Sequence, residues 1–354
     1  MYAVKNNFKS GNQLSKSSIL SWRIAQILFW LIGVGILFCL IFYPTIGTLL
    51  FWNILIPIAP LLIVVALGVW RNLCPLATTN LLPRHLGLSK RKRLSQTQSG
   101  KLNLIGVCSF YFIVPLRHAI FNTNGPATAT LIIFMAVVGV CAGFFYEWKS
   151  VWCSGLCPIH PVEKLYGGNV LLSIPNAHCG QCENCVIPCP DSTPNMHPSH
   201  SEKTVFHRIS ALLITGGLPG FIWGWFHVPD ELSATTFKTF IGVYQLPFIG
   251  FAITLSVYLI INNLLLKEKR RILTRIFAAA AVSCYYWYRI PSLIGFGKFA
   301  NDGLLINLKG ALPIWMPYIF TIAFTIFFFS WLVLRKENNA SWVIRPEYAM
   351  KKVS

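Results

Sequence analysis

The stretch that decides the fold class is Leu49–Trp70, which reads LLFWNILIPIAPLLIVVALGVW and contains no charged residue. A helix that crosses a lipid bilayer needs about 20 mostly apolar residues. Seven further stretches meet this requirement: Ile24–Tyr43, Leu102–Phe121, Thr130–Trp148, His207–Phe226, Thr239–Leu265, Ile272–Tyr288 and Leu312–Leu334. The sequence therefore predicts an all-α integral membrane protein with about eight transmembrane helices.

Composition and charge agree with this class. Of the 354 residues, 55% are hydrophobic and 12% are charged, against about 25% charged in soluble proteins, which excludes a soluble globular enzyme and a disordered chain. With both termini inside, 25 of the 30 lysines and arginines lie in cytoplasmic segments. The positive-inside rule then predicts a multi-pass protein of the plasma (inner) membrane with both termini in the cytoplasm. The basic cluster Lys90–Arg93 indicates contact with anionic lipid and not with nucleic acid.

The eleven cysteines fall into two groups. Four lie within apolar spans (Cys39, Cys108, Cys141 and Cys284) and are interpreted as small buried side chains. The other seven lie in the two predicted cytoplasmic loops that follow spans two and four. Because the cytosol is reducing, metal binding or redox chemistry is expected there and a disulfide framework is not.

The second of these loops contains Cys179-Gly-Gln-Cys182-Glu-Asn-Cys185-Val-Ile-Pro-Cys189-Pro190. This spacing is that of bacterial ferredoxins, and it predicts a [4Fe–4S] cluster held by four thiolates. Zinc is the alternative, but zinc sites typically use two separated cysteine pairs. A two-cluster arrangement stays open as well. It would need a ligand other than cysteine, such as His178 or His160, and we favour a single cluster.

A short repeat precedes the ferredoxin run. Val69-Trp70-Arg71-Asn72-Leu73-Cys74-Pro75 resembles Val151-Trp152-Cys153-Ser154-Gly155-Leu156-Cys157-Pro158, and each follows the second helix of a predicted hairpin. A duplicated hairpin brings both Cys-Pro turns to one membrane face. Cys74, Cys153 and Cys157 are therefore candidates for an additional cluster ligand or a thiol relay, with simple packing as the alternative.

These motifs together resemble the membrane-bound polyferredoxin-type [4Fe–4S] proteins. That group includes the quinol-oxidising accessory ferredoxin of periplasmic nitrate reductase, the nitrous-oxide reductase maturation protein and the copper-reducing oxidase-assembly protein. The resemblance covers roughly residues 20–195. It implies that the cysteines of the ferredoxin run are cluster ligands and that Cys153 and Cys157 form a Cys-x3-Cys-Pro pair. In the first copy Trp70 stands where that pair would have its first cysteine, a second ferredoxin run is missing, and spans five to eight have no counterpart.

Ionisable residues inside apolar spans are further candidates. His118 and His227, near the outer ends of spans three and five, could hold a b-type haem, and Arg117 with His118 could bind a quinone headgroup. The alternative is that they are interfacial residues reaching water. With only eleven acidic residues, nearly all in loops, a pathway of buried acids is not expected, and Glu147 is the sole partial candidate.

The predicted organisation has five parts: a first hairpin with a basic Cys-Pro loop (1–101), a second hairpin with Cys-x3-Cys-Pro (102–158), a cytoplasmic ferredoxin-type segment (159–204), a four-helix membrane domain (205–335) and a cytoplasmic tail (336–354). The predicted function is electron transfer between a soluble ferredoxin-like protein and the quinone pool or a membrane redox complex, as an oxidoreductase component. Two alternatives remain: an assembly or metal-reducing factor, and a transporter or scaffold with a structural cluster.

Overall fold

The structure is a computed structural model of the whole chain. It describes residues 15–92, 94–146, 151–167, 174–175, 177, 204–230, 237–265, 269–299, 302–335 and 343–344. All the statements that follow concern these residues. The ferredoxin run, from Cys179 to Cys189, lies outside them, as does Glu147.

Helices account for nearly all of the described secondary structure. In chain order they are α1 Lys16–Phe42, α2 Pro44–Thr48, α3 Ile56–Leu73, α4 Pro75–Asn80, α5 Leu82–His85, α6 Gln96–Ile113, α7 Gly125–Phe145, α8 His160–Tyr166, α9 Val205–Leu212, α10 Leu218–Trp225, α11 Phe237–Leu264, α12 Arg270–Leu293 and α13 Met316–Phe329. Short π-helical segments extend several of them, at Leu49–Leu55, Arg117–Phe121, Trp152–Leu156, Leu213–Gly217 and Ser330–Leu334. Two short strands, β1 Ile174–Pro175 and β2 Val343–Ile344, pair in parallel.

Six helical segments in the described part of the chain are long and apolar enough to cross a membrane. They are Lys16–Phe42, Pro44–Asn80, Gly125–Phe145, Val205–Trp225, Phe240–Leu264 and Met316–Leu334. This agrees with the prediction of an all-α multi-pass membrane protein. The other two predicted spans fall in α6, which begins with a polar turn, and in α12, which carries four arginines. Polar residues lower the apolarity of both helices without preventing them from being helical.

The hydrogen-bond ladder of helix α3 is interrupted near its prolines, Pro57 and Pro60. A proline inside a helix removes one backbone hydrogen bond and crowds the preceding turn. The hydroxyl of Tyr286, from α12, enters the helical ladder at this place: it accepts from the Leu61 amide (3.0 Å) and donates to the Pro57 carbonyl (2.6 Å). Those two groups would otherwise bond to each other. A second break lies at Ala66, with φ −142° and ψ 57°.

The second half of the chain packs against the first through α12. In the main apolar core, residues of α3 such as Ile63 and Leu67 pack together with Ala279 and Val282 of α12. Next to it, α10 and α11 approach so closely that a methyl group on Gly220 would collide with the Gly250 carbonyl. Small residues of this kind let membrane helices pack backbone to backbone. The last helices are thus an integral part of the bundle.

Candidate functional site

Polar residues concentrate at the two ends of α3. We call the end that carries Cys74 the cysteine end, and the end near Trp52 and Asn53 the far end. The 18 residues of α3 correspond to roughly 27 Å at 1.5 Å per residue. The predicted residues Cys74, Cys153 and Cys157 lie at the cysteine end, whereas Arg117, His118 and His227 lie at the far end.

The two Cys-Pro turns have the same local structure. Cys74 ends α3 with φ −56° and ψ 118°, and Cys157 ends the π-helical segment with φ −60° and ψ 118°. A residue before proline is biased out of the helical region toward an extended conformation, which explains why both helices stop at the cysteine. The sequence repeat is therefore a structural repeat at its Cys-Pro turns.

The three thiols of these turns lie at the same end of the bundle, although within the described part of the chain they are not among the groups whose ligand atoms all lie within 4.8 Å of one another. The Cys157 thiol interacts electrostatically with both Cys153 and Cys74, and Asn80 Nδ2 lies 4.0 Å from Cys153 Sγ. The segment between Cys153 and Cys157 packs closely on α6, because the Gly155 carbonyl would lie 2.7 Å from a methyl group on Gly106. Burial first, and then the neighbouring Glu163, raise the pKa of Cys157 well above its usual range. The free thiol is thus protonated at neutral pH.

Beside the thiols lies a buried ion pair between Arg71 and Glu163. The Trp70 indole donates a hydrogen bond to Glu163 Oε1 (2.8 Å). His160 Nδ1 lies 3.4 Å from Glu163 Oε2, the oxygen that Arg71 contacts. Burial opposes ionisation of Glu163, but the Arg71 charge and the His160 ring outweigh it and lower the pKa of Glu163 to about 2. Burial lowers the pKa of His160 to about 4. At pH 7 the carboxylate is therefore charged and the imidazole neutral.

The chain that leads to the ferredoxin run is attached at this same place. The Ala177 amide donates to Asn72 Oδ1 (3.2 Å), and Asn72 stands two residues before Cys74. From α1, Gln26 donates to the Asn72 carbonyl (3.2 Å), and Arg23 donates to Gln26 Oε1 (2.7 Å). Ala177 itself is buried and stands two residues before Cys179. The first Cys-Pro turn and the segment that enters the ferredoxin run are therefore joined by a direct hydrogen bond.

At the far end, His118 belongs to a polar pocket whose acidic members the sequence did not predict. His118 Nδ1 lies 2.6 Å from Asp230 Oδ1, and Asn122 donates to the other oxygen of Asp230. The carboxyl group of Asp302 lies next to that of Asp230. Ligand atoms of His118, Asp230 and Asp302 lie within 4.8 Å of one another, as a metal site would require.

The arginines of the far end bind other groups. Arg117 lies between two indoles, 5.0 Å from the ring of Trp52 and 5.0 Å from that of Trp225, and donates to Asn122 Oδ1. Arg289 Nη2 donates to the Trp52 carbonyl and to Asn53 Oδ1, both at 2.7 Å. Among the described residues, neither arginine forms an ion pair with the two aspartates. The positive charges are therefore near the acids but not in contact with them.

This arrangement shifts the pKa values of the two carboxyl groups in opposite directions. Burial, followed by the Asp230 charge, raises the pKa of Asp302 to about 7. For Asp230, burial is outweighed by His118, which lowers its pKa. Beside Asp302 is a small cavity of about 10 Å³, which is room for about one water molecule. Its lining includes His118, Tyr288, Arg289 and Ser292.

His227 has different neighbours from His118. Its ring lies 4.4 Å from the ring of Trp223 and 5.3 Å from that of Tyr288, and its Nδ1 lies 2.7 Å from the Trp223 carbonyl. His118 instead faces Asp230 and packs against Trp225 at 4.6 Å. In the described structure the two histidines thus hydrogen-bond to different groups. Both lie near Tyr288, which contacts the His227 ring and lines the same cavity as His118.

Three acidic residues at these sites escaped the sequence analysis: Glu163, Asp230 and Asp302. Asp230 is 112 positions from His118, so no local pattern connects them. The one available signal was the rarity of acids, since only eleven occur in the whole chain. No family model, no curated protein and no solved structure matches this chain.

Proposed function

We propose that this chain is a membrane-bound iron–sulfur protein that transfers single electrons between a soluble redox protein and a membrane acceptor, either the quinone pool or a redox complex. The observation that carries the proposal is the ferredoxin spacing of Cys179, Cys182, Cys185 and Cys189, which fits a [4Fe–4S] cluster. Such a cluster accepts and releases one electron at a time. The protein would set its potential through thiolate ligation, hydrogen bonds and burial.

The described cysteine end supports this proposal independently of the run itself. Three further cysteines lie at that end, where the Cys157 thiol interacts electrostatically with the other two, and Ala177, just before the run, is bonded to the first Cys-Pro turn. The thiolate is both the metal ligand and the nucleophile, so the raised pKa of Cys157 disfavours either role for the free thiol. We therefore propose Cys74, Cys153 and Cys157 as the surroundings of the cluster, with an additional ligand or a thiol relay as the alternative roles.

We further propose eight spans, with α6 and α12 crossing beside the six apolar segments, and with the cysteine end in the cytoplasm. Both helices are long enough for the hydrocarbon core, at 18 and 24 residues. Their polar residues have buried partners: Arg289 of α12, for example, binds the Trp52 carbonyl. The backbone of Lys90 and Lys92 bonds to the end of α7, which places basic residues at the cysteine end. This agrees with a cytoplasmic cysteine end.

The first experiment tests the cluster. The full-length protein is purified without oxygen, its iron is quantified, and its EPR spectrum is recorded after reduction with dithionite. We expect about four irons per chain and a signal that is lost in Cys182→Ala but retained in Cys108→Ala, a matched control on α6. Wild-type protein without iron would overturn the proposal. Loss of the cluster in Cys157→Ala but not in Cys189→Ala would show that the ligand set is wrong.

The second experiment tests which electron acceptor oxidises the cluster. Reduced protein in proteoliposomes is mixed with a soluble quinone analogue or with Cu²⁺, and re-oxidation of the cluster is followed by its visible absorbance. We expect rapid re-oxidation by the quinone. Re-oxidation by Cu²⁺ but not by the quinone would favour the metal-reducing alternative. A cluster that neither acceptor oxidises would favour a structural cluster in a transporter or scaffold.

A further inference from the structure

Two carboxyl groups lie close together in the far-end pocket. Ligand atoms of Asp230 and Asp302 lie within 4.8 Å of each other and of a nitrogen of His118. Like charges this close disfavour ionisation of both groups, and a proton bound by one of them, or a metal ion, would relieve the repulsion.

The pocket also contains polar atoms without a protein partner. His118 and Arg289 are 2% and 1% exposed. His118 Nε2 and Arg289 Nε are buried and form no hydrogen bond with any described residue. Both side chains line the cavity beside Asp302. Because buried polar atoms are nearly always paired, a cavity with room for one water molecule next to them points to a bound water.

We propose that His118, Asp230 and Asp302 form a proton-binding site that exchanges one proton with solution at the far end, through the water in the adjoining cavity. In the release step, the O–H bond of the Asp302 carboxyl group breaks, and its proton passes to the cavity water and from there to bulk solution. Uptake is the reverse. His118, which lines the same cavity, accepts a hydrogen bond from that water at Nε2 while its Nδ1–H faces Asp230. The site is independent of the proposed cluster, so either can fail without the other.

The charges around the pocket favour a proton over a divalent cation. The titratable and charged groups that face the pair are Arg117, His118, Tyr288, Arg289 and Lys298. Three of them are basic side chains. They compensate the single negative charge that the pair carries when it shares a proton, and they would repel a metal ion. The raised pKa of Asp302, about 7, agrees with a proton that exchanges near neutrality.

Infrared difference spectroscopy of the full chain in lipid nanodiscs tests the proposal. Spectra between pH 5 and pH 9 are compared in the carbonyl region of protonated carboxyl groups. We expect one such band in wild type, with a midpoint near neutrality, that disappears in Asp302→Asn. Ser292→Ala alters the same cavity without removing an acid, so its band should persist. In Asp230→Asn the midpoint should move toward acid by roughly one to three pH units.

Two results would overturn the proposal. The first is a wild-type spectrum with no carboxyl band that titrates in this range, which needs no variant and therefore no assumption about variant folding. The second is a stoichiometric divalent metal in the purified protein, or a band that one equivalent of Zn²⁺ or Mn²⁺ abolishes at pH 7. That outcome would identify the three residues as a metal site.

Discussion

The two ends of the bundle treat buried carboxylates differently. At the cysteine end, Glu163 has Arg71 in direct contact, a hydrogen bond from Trp70 and a pKa of about 2. At the far end, Arg117 and Arg289 bind indole rings and carbonyl groups, and Asp302 is left with another acid as its partner. A carboxylate with its own arginine is a fixed charge that holds two elements together. A carboxylate whose neighbour is a second carboxylate can change its charge at neutral pH.

The strongest test of this comparison removes the fixed charge. In Glu163→Gln, Arg71 stays buried without its counter-ion, and breaking a buried pair costs about 3–5 kcal/mol. We expect a large fall in the thermal unfolding midpoint of the purified protein, and a much smaller effect in Asp302→Asn. The double variant Arg71→Met/Glu163→Leu is the control, because it leaves no unpaired charge and should lose less than Glu163→Gln. Equal losses in all three variants would contradict the contrast.

Between the two ends of the bundle, the Tyr286 hydroxyl enters the hydrogen-bond ladder of α3, and its energetic role can be tested by substitution. Tyr286→Phe removes both hydrogen bonds. The Leu61 amide and the Pro57 carbonyl must then close on each other or stay unpaired, so we expect a cost of at most about 1–3 kcal/mol. Tyr285→Phe is a matched control, since the Tyr285 hydroxyl is buried and bonds to no described residue. Its removal should be neutral or stabilising. If the two variants unfold at the same temperature, the bridge across the α3 ladder has no energetic role.

A smaller change perturbs only the far end. Gly303 has a φ of +69°, and a methyl group there would collide with Nη1 of Arg289. In Gly303→Ala we expect a loss of about 1–2 kcal/mol from the left-handed backbone alone. The infrared midpoint of the aspartate pair should also change, because Arg289 faces it. Gly310→Ala has open space and should leave stability and midpoint unchanged. An unchanged midpoint in both would show that the position of Arg289 does not influence the acids.

The pH dependence of stability should have opposite signs at the two ends. The pKa of Glu163 falls from 4.5 unfolded to about 2 folded, so its contribution is present above pH 4.5 and is lost as pH falls toward 2. The pKa of Asp302 rises from 3.8 to about 7, so its contribution is present below 3.8 and is lost as pH rises through 7. Each changes stability by at most about 1.4 kcal/mol per pH unit. His160 acts in the opposite sense to Asp302, because its pKa falls from 6.5 unfolded to about 4 folded and stability rises with pH over that range. The wild-type unfolding midpoint minus that of Asp302→Asn isolates the Asp302 contribution, and we expect this difference to fall as pH rises from 4 to 8.

Sequence reasoning reached the fold class because long uncharged runs such as Leu49–Trp70 have few alternatives to spanning helices. It also related Cys74 to Cys157, since a cysteine before proline imposes a local backbone that the structure repeats. It could not relate His118 to Asp230 or Arg71 to Glu163. Those pairs depend on how distant helices pack, and an acid in a loop carries no sign of what will cover it.

The break at Ala66 has a mechanical consequence. Helix α3 ends at Cys74 on one side. On the other side it continues into the π-helical segment Leu49–Leu55, in which Trp52 and Asn53 accept hydrogen bonds from Arg289. In a straight helix, a tilt at one end moves the other end with it. A kink in the middle lets the two halves change orientation separately, and Tyr286 hydrogen-bonds only to the half that precedes Ala66. We therefore expect a charge change at the far end to leave the geometry around the thiols undisturbed.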